Sequence, residues 1–136
     1  MDLAEALVFI SLHHKAVLST TRRDGHASMT PVTAAVDGDG KVIISTRSTA
    51  LKVHNIKRDA YVSLVVVSDE FFGTWTQVEG RATVLELPEV LEPLVEYYRL
   101  VAGEHPDWDD YRAAMVREDR VLVRIDVQRV GPVISG

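Results

Sequence analysis

The distribution of apolar and polar positions along the chain predicts a mainly β protein. Residues 61–68 form the most apolar run and are rich in β-branched side chains, which favour a central strand. Residues 121–130 alternate between apolar and polar side chains, as in a strand with one buried face. By the same criteria, four further strands are expected at residues 16–21, 26–36, 42–46 and 74–87. Turn sequences at residues 24–25 and 37–40 predict antiparallel pairing of neighbouring strands.

Apolar residues at helical spacing predict four helices between and beside these strands. The helices are expected at residues 2–12, 49–58, 88–100 and 108–118. Asp2 is expected to cap the first helix, Pro31 to mark an edge strand or a bulge, and Gly80 to mark a bulge or a close approach. Six strands that are mostly joined by hairpins predict a small closed antiparallel barrel. Residues 1–136 are expected to form this single domain.

Composition removes several classes of function. The chain has 136 residues, a formal net charge of −5 and no cysteine, so disulfides, thiolate chemistry and cysteine metal sites are excluded. The acidic balance argues against nucleic-acid binding. No apolar run approaches the roughly 20 residues of a membrane span, and no signal-peptide pattern is present, so a cytoplasmic protein without membrane contact is expected. The histidines lack metal-binding spacing, and no metal is predicted.

Residues 42–59 contain the densest group of basic residues and predict a binding site for a phosphate group. A β-branched strand passes through a polar bend into a helix, whose first N–H groups and dipole favour an anion. Ser48 or Thr49 is expected to cap that helix. Arg47 and Lys52 are expected to reach the same space, and Lys57 and Arg58 are expected to add positive potential nearby. Since no paired nucleophile and base is recognisable, a bound cofactor is expected to carry any reaction.

Four motifs resemble the pyridoxamine-phosphate-oxidase-like split β-barrel flavoproteins, and within them the branch that uses the deazaflavin coenzyme F420. Residues 51–59 are similar to the K-x-x-N-(L/I)-x-x-D signature of that branch, and residues 78–82 to the E-G-x-A strand of the family. The other two motifs are the strand and turn at 18–25 with its return strand at 30–32, and the late segment at 98–112. The late segment is the most specific to this branch, and the resemblance covers nearly the whole chain.

The resemblance implies a six-stranded antiparallel split β-barrel of the FMN-binding type, which forms a homodimer with cofactor grooves between the two barrels. It implies that Lys52 binds the cofactor phosphate. The strand end implied to line the phosphate and ribityl region contains Ser45, Thr46 and Arg47. The strand implied to lie along the ring system contains Thr30, Pro31, Val32 and Thr33. Trp75 and Gln77 are implied to reach the groove from the neighbouring subunit.

The implied activity is that of an F420-dependent oxidoreductase, in which the reduced deazaflavin passes a hydride to a small electron-poor organic substrate. Two alternatives stay open. One is an FMN-binding oxidase or flavin reductase that uses the same groove, and the other is a carrier protein for coenzyme F420. Relatives often have an arginine two residues before the lysine, where this chain has Ala50. Arg47 could supply the charge that this position lacks. No catalytic residue is assigned.

Overall fold

A computed structural model describes residues 1–131, which form seven strands and four helices. The strands are β1 Lys15–Thr21, β2 Ala27–Thr33, β3 Ala35–Val36, β4 Val42–Arg47, β5 Tyr61–Val67, β6 Trp75–Leu85 and β7 Arg120–Gly131. The helices are α1 Leu3–Leu12, α2 Leu51–Arg58, α3 Leu91–Ala102 and α4 Trp108–Arg117. Strand pairing in this part of the chain is antiparallel, so the predicted mainly β, antiparallel class is confirmed. None of the helices in residues 1–131 is long and apolar enough to cross a membrane.

The sheet has the strand order β2-β1-β5-β6-β7-β4-β3, and this order explains its curvature. β2 and β3 follow each other in the chain but form opposite edges of the sheet. Ala34, which is completely buried, is the one residue between them. Because a single residue cannot span a flat sheet, the sheet curls until its two edges meet, as in a split barrel.

The count of seven strands corrects the predicted count of six. The return strand expected at residues 26–36 is divided at Ala34, whose N–H donates to the carbonyl oxygen of His14 at 2.9 Å. Residues up to Thr33 pair with β1, whereas Ala35 and Val36 pair with β4. The apolar pattern runs through this crossover without interruption, so it cannot reveal where the chain changes partner.

The strand β4 is buried on both faces and joins two hydrophobic cores. Ile44 faces the barrel interior, where it belongs to a core that also contains Leu18 and Leu64. Ile43 faces the other way, into a second core beneath α3 and α4 that contains Leu94. This double burial accounts for the continuous apolar run at the start of β4. It also fixes α3 and α4 beside the predicted phosphate site.

Three local predictions are confirmed. Asp2 caps α1 in a capping box, and its carboxylate accepts the N–H of Glu5 at 2.8 Å. Pro31 lies in β2, an edge strand of the sheet in residues 1–131. At Gly80 the pairing of β6 with β7 shifts by one residue, and a Cβ there would overlap the carbonyl oxygen of Asp126. Gly80 is therefore both a bulge and a point of close backbone approach.

Candidate cofactor-binding groove

The predicted phosphate site lies where β4 ends and α2 begins. The residue that precedes α2 is Ala50, which has an extended backbone and no side chain that can accept a hydrogen bond. The prediction that Ser48 or Thr49 caps this helix is therefore wrong. Since no side chain caps α2 in the described structure, its first N–H groups are left to bind an incoming anion.

Ser48 instead fastens the start of α2 to the turn between α4 and β7. Its backbone N–H donates to the Asp119 carbonyl oxygen at 3.0 Å, and its hydroxyl donates to the Asp119 carboxylate at 2.6 Å. Asp119 has a φ of 50°, in the left-handed region that aspartate tolerates better than most residues. The next residue, Arg120, pairs with Arg47 at the end of β4. The Ser48 contacts therefore hold Arg120 close to the phosphate site.

A groove of about 450 Å³ lies beside the start of α2, and we call it the Lys52 groove. Its size is within the usual range of small-molecule and cofactor sites, about 300–1,000 Å³. It is lined by Pro31, Val32, Thr33, Ser45, Lys52, Tyr97, Tyr98, Tyr111, Met115 and Arg120. The first five of these are residues that the sequence predicted to bind a cofactor. The fold thus brings the end of β2, the end of β4 and the start of α2 to one place.

Tyr97 fastens α3 to a strand that borders the groove. Its hydroxyl donates to the Thr33 carbonyl oxygen at 2.8 Å, and the residue is only 9% exposed. Burial raises the pKa of Tyr97, and a hydrogen bond from the Ser45 backbone opposes this effect only in part. The hydroxyl therefore stays protonated at neutral pH and continues to hold Thr33.

An aromatic cluster forms the side of the groove that comes from α3 and α4. The Tyr111 hydroxyl donates to the Leu94 carbonyl oxygen at 2.9 Å, and burial raises the pKa of Tyr111 to about 12. The Tyr98 ring packs edge-to-face against Tyr111, with 5.0 Å between ring centroids. His105 and Trp108 pack against the same two rings. These contacts make this side of the groove a fixed, mainly apolar surface.

Lys52 and Arg120 are the cationic residues that line the groove in residues 1–131. Arg120 donates to the Glu118 carboxylate at 3.0 Å, and Arg47 approaches the same carboxylate at 3.3 Å. The hydrogen bond from Arg120, assisted by Arg47, lowers the pKa of Glu118, so this carboxylate is charged at neutral pH. The described structure gives Lys52 no such ion-pair partner. Lys52 is therefore the groove cation that is most available to a ligand.

Of the four basic side chains of residues 42–59, Lys52 is the one that lines the groove in the described part of the chain. The Lys57 ammonium pairs with the Glu86 carboxylate at 2.6 Å, away from the groove. Arg58 donates to the Thr21 carbonyl oxygen, on the side of α2 that faces β1. An α-helix turns by about 100° per residue, so basic residues that are close in sequence point in different directions.

Three other predicted cofactor-binding residues lie near the groove but do not line it. Thr46 is buried, because it faces the opposite side of β4 from Ser45. Arg47 is exposed, with 61% of its side chain accessible, and contacts Glu118. Thr30 has a buried hydroxyl without a hydrogen-bond partner in residues 1–131. Their contribution to binding stays a prediction.

Trp75 and Gln77 lie on β6, away from the Lys52 groove of their own chain. Trp75 belongs to a second pocket of about 610 Å³ on the outside of the sheet, which we call the outer apolar surface. It is lined by Lys15, Ala16, Val17, Val65, Val67, Phe71, Phe72 and Trp75. The resemblance assigns Trp75 and Gln77 to the groove of a neighbouring subunit, and this assignment stays a prediction for the single chain.

Half of the groove was not identified from the sequence. The residues concerned are Tyr97, Tyr98, Tyr111, Met115 and Arg120. The helical spacing of the first four indicates a buried face but not the strand against which that face packs. For Arg120 a signal was available, since it directly precedes the predicted last strand and an antiparallel partner would place it opposite the end of another strand. The partner, β4, could not be named from the pattern alone.

Two histidines, His14 and His105, make hydrogen bonds that have structural roles. The His14 Nδ1 is 2.7 Å from the Ala34 carbonyl oxygen, and the His105 Nδ1 accepts the Asp107 N–H at 2.9 Å. Residues 1–131 contain no group of three or more histidine and acidic side chains placed to bind a metal ion.

Comparison with known proteins identifies the family of this fold. Residues 3–133 match the family model described as pyridoxamine 5'-phosphate oxidase. A conserved hypothetical protein of Mycobacterium tuberculosis has a TM-score of 0.79 and 28% identity, over 96% of this chain and 82% of that one. A structure described as an F420 reductase has a TM-score of 0.67 and 19% identity, over 87% of this chain and 89% of that one. The heme storage protein HutZ of Vibrio cholerae has a TM-score of 0.70 and 14% identity, over 96% of this chain and 94% of that one. The family match over residues 3–133, together with the curled antiparallel sheet, shows that this chain belongs to the pyridoxamine 5'-phosphate oxidase family.

Proposed function

We propose that this protein is an oxidoreductase that binds the deazaflavin coenzyme F420 in the Lys52 groove. The observation that carries the proposal is that Lys52, in the first turn of the uncapped helix α2, lines the same groove as the aromatic side formed by α3 and α4. The coenzyme combines a planar ring with a flexible chain that ends in a phosphodiester. Its phosphate fits the helix N-terminus and the lysine, and its ring fits the apolar part of the groove.

Each side of the groove has a distinct task in this proposal. Lys52 and the first N–H groups of α2 bind the phosphate, and the Ser45 hydroxyl hydrogen-bonds the polyol chain. The end of β2 supports one face of the ring, and Tyr97 keeps this strand in place through Thr33. Tyr98 and its aromatic neighbours exclude water from the apolar side of the groove. When bound and reduced, the deazaflavin supplies a hydride for a small electron-poor substrate, and the protein supplies position and a dry environment.

We also propose that the protein is a cytoplasmic homodimer that assembles through the outer apolar surface. Val17 of β1 lies opposite Val65 of β5, and both contribute to this surface. Phe71 and Phe72 extend from the next loop and are 73% and 97% exposed. A monomer would leave this contiguous apolar surface in water, whereas a second copy would cover it. The same contact would offer Trp75 to the groove of the partner, as the family resemblance implies.

Replacing Val17 with aspartate is expected to convert the dimer to a monomer at micromolar concentration. An unpaired carboxylate buried in the interface costs about 3 kcal/mol or more, which weakens association by roughly 100-fold. The Val116→Asp variant is the control, because Val116 is 57% exposed on α4 and lies outside the outer apolar surface. Light scattering should give a dimer for the unmodified protein and Val116→Asp, and a monomer for Val17→Asp. An unmodified protein that is monomeric, or a Val17→Asp variant that is dimeric, would contradict this interface.

Salt is expected to weaken binding of the deazaflavin more than binding of FMN. The deazaflavin has a phosphodiester followed by lactate and several glutamates, whereas FMN ends at its phosphate. The deazaflavin therefore brings more negative charges than FMN to the cationic side of the site. Salt screens the attraction between these charges and the protein over about 8–10 Å. Dissociation constants measured between low and high salt should give a steeper dependence for the deazaflavin. Equal dependences would favour the FMN alternative.

Fluorescence titration of the purified protein tests the proposed cofactor. Coenzyme F420 is expected to bind with a lower dissociation constant than FMN, and an electron-poor enone should then be reduced when reduced coenzyme is supplied. Tighter FMN binding would favour an FMN oxidase or flavin reductase. Tight F420 binding without turnover of any electron-poor acceptor would favour a carrier. Heme is a useful third ligand, because no histidine lines the groove in residues 1–131 and weak heme binding is expected.

A further inference from the structure

The two cations that line the Lys52 groove come from elements that are far apart in sequence. Lys52 lies in the first turn of α2, and Arg120 begins β7. The chain segments that lead into these two elements meet where Ser48 contacts Asp119. This contact is therefore placed to control how the two cations lie relative to each other.

Asp119 has a backbone conformation that usually favours glycine. It follows the last turn of α4, its N–H donates to the Val116 carbonyl oxygen at 3.1 Å, and its φ is 50°. Glycine is the commonest residue at this position after a helix, because a side chain disfavours a positive φ. Within residues 1–131, Asp119 is the one residue other than glycine that has a positive φ. The turn itself therefore gives no reason for an aspartate.

The Asp119 side chain makes a contact that glycine could not make. Its carboxylate accepts the Ser48 hydroxyl at 2.6 Å, within the range of charge-assisted O–H···O⁻ hydrogen bonds. The second bond between these residues joins the Ser48 N–H to the Asp119 carbonyl oxygen at 3.0 Å, and it would also form with glycine. The carboxylate thus adds one hydrogen bond at the cost of a less favoured backbone.

The ion pairs beside this turn do not replace that hydrogen bond. Glu118 accepts from Arg120 at 3.0 Å and from Arg47 at 3.3 Å, and so joins the turn to the end of β4. The connection that leads from β4 into α2 comprises residues 48–50. In the described part of the chain, the Ser48–Asp119 hydrogen bond is the one made by a side chain of this connection.

We propose that Asp119 is a positioning residue, which holds the connection into α2 so that Lys52 and Arg120 bind the same anionic group of a ligand. The proposal rests on the proposed function, in which that group is the cofactor phosphate. Asp119 acts through its hydrogen bond and not through its charge, because a carboxylate close to an anion opposes anion binding. A disfavoured backbone conformation is expected at a functional site when the side chain is needed there.

Replacing Asp119 with glycine separates ligand binding from the stability of the fold. Glycine relieves the backbone but loses the hydrogen bond, so the melting temperature should change by less than about 4 °C. The affinity for coenzyme F420 should fall about three- to tenfold. The affinity for the same ring and polyol chain without the phosphodiester should change by less than about twofold, since this ligand has no group for the two cations.

Two further variants test whether the hydrogen bond is responsible. Asp119→Asn keeps a side-chain oxygen and tolerates a positive φ, so it should bind the coenzyme at least as tightly as the unmodified protein. Ser48→Ala removes the other partner and should weaken coenzyme binding as much as Asp119→Gly does. The double variant should lose no more than either single variant, because the same interaction is removed in all three.

Asp39→Gly is the control for an aspartate removed from a turn. Asp39 pairs with Arg124 and does not line the groove. Its replacement should leave the affinity for coenzyme F420 unchanged.

Each outcome of these titrations decides one point. An unchanged coenzyme affinity in Asp119→Gly, equal losses for the two ligands, or losses that add in the double variant would overturn the inference and leave the proposed function intact. If the unmodified protein bound coenzyme F420 no more tightly than its phosphate-free form, the proposed phosphate site and the inference would both be wrong. If Asp119→Gly is poorly folded, Ser48→Ala gives the same comparison.

Discussion

Replacing Gly80 with alanine is expected to destabilise the fold by about 3 kcal/mol or more and to lower the melting temperature by roughly 10 °C. The added Cβ would overlap the Asp126 carbonyl oxygen, and it would lie 3.0 Å from the Val127 Cα. These are backbone atoms of the neighbouring strand, so β6 and β7 must move apart to accept the methyl group. Thermal or urea unfolding measures the loss.

Gly38→Ala is the matched control for this substitution. A Cβ added at Gly38 would meet no atom of a neighbouring element within 4 Å, and the backbone there does not require glycine. Its replacement should change the free energy of unfolding by less than about 0.5 kcal/mol. Similar stabilities of Gly80→Ala and Gly38→Ala would show that the close approach of β6 to β7 is not present in solution.

Replacing Lys52 with alanine is expected to weaken cofactor binding by about 1.5–3 kcal/mol, or roughly 10- to 150-fold. The Lys52 ammonium would no longer donate a charge-assisted hydrogen bond to the phosphate. The rate at saturating cofactor should change little, because the phosphate is separated from the reacting ring by the polyol chain. Fluorescence titration gives the dissociation constants, and steady-state assays give the rates.

Lys57→Ala provides the control within the same helix. Lys57 is also a lysine of α2, but it contacts the exposed Glu86 and not the groove. The Lys57–Glu86 ion pair is exposed and contributes little to the stability of the fold. Because Lys57 does not line the groove, its removal should leave the cofactor affinity within about twofold of that of the unmodified protein. Equal losses in the two variants would indicate a general effect of helix charge. An unchanged affinity in Lys52→Ala would place the phosphate elsewhere.

The strands of the sheet were predicted well from the sequence, because the residue types along a strand indicate which of its faces are buried. Residues 61–67 combine β-branched side chains with burial on alternate positions, and the structure has β5 there. Gly80 interrupts an otherwise regular strand pattern, and its lack of a side chain already indicated a bulge or a close approach. Such local signals can be recognised without knowledge of the tertiary structure.

The groove could be predicted only in part, because its two halves depend on different kinds of information. Pro31, Ser45 and Lys52 were found through a family motif or a strand followed by a helix, both of which are local in sequence. Tyr97 and Arg120 become groove residues only when α3 and β7 pack beside β4. The sequence pattern marks them as helix and strand residues but does not specify these partners.

The contacts of the polar side chains around α2 could not be predicted for a similar reason. Four basic residues within twelve positions suggested one anion site, but Arg47 contacts Glu118 and Lys57 contacts Glu86. Both acidic partners are distant in sequence. Likewise, Ser48 was expected to cap α2, but Asp119 attracts both its N–H and its hydroxyl. Hydrogen bonds and ion pairs with residues that are distant in sequence cannot be predicted from a short stretch of the chain.

A crystal structure of the protein with coenzyme F420 tests the central proposal most directly. The proposal predicts a phosphate oxygen about 2.7–3.2 Å from the Lys52 Nζ and from a backbone N–H in the first turn of α2, with the ring against residues 31–33. A phosphate bound away from Lys52, or a ring bound away from residues 31–33, would contradict it.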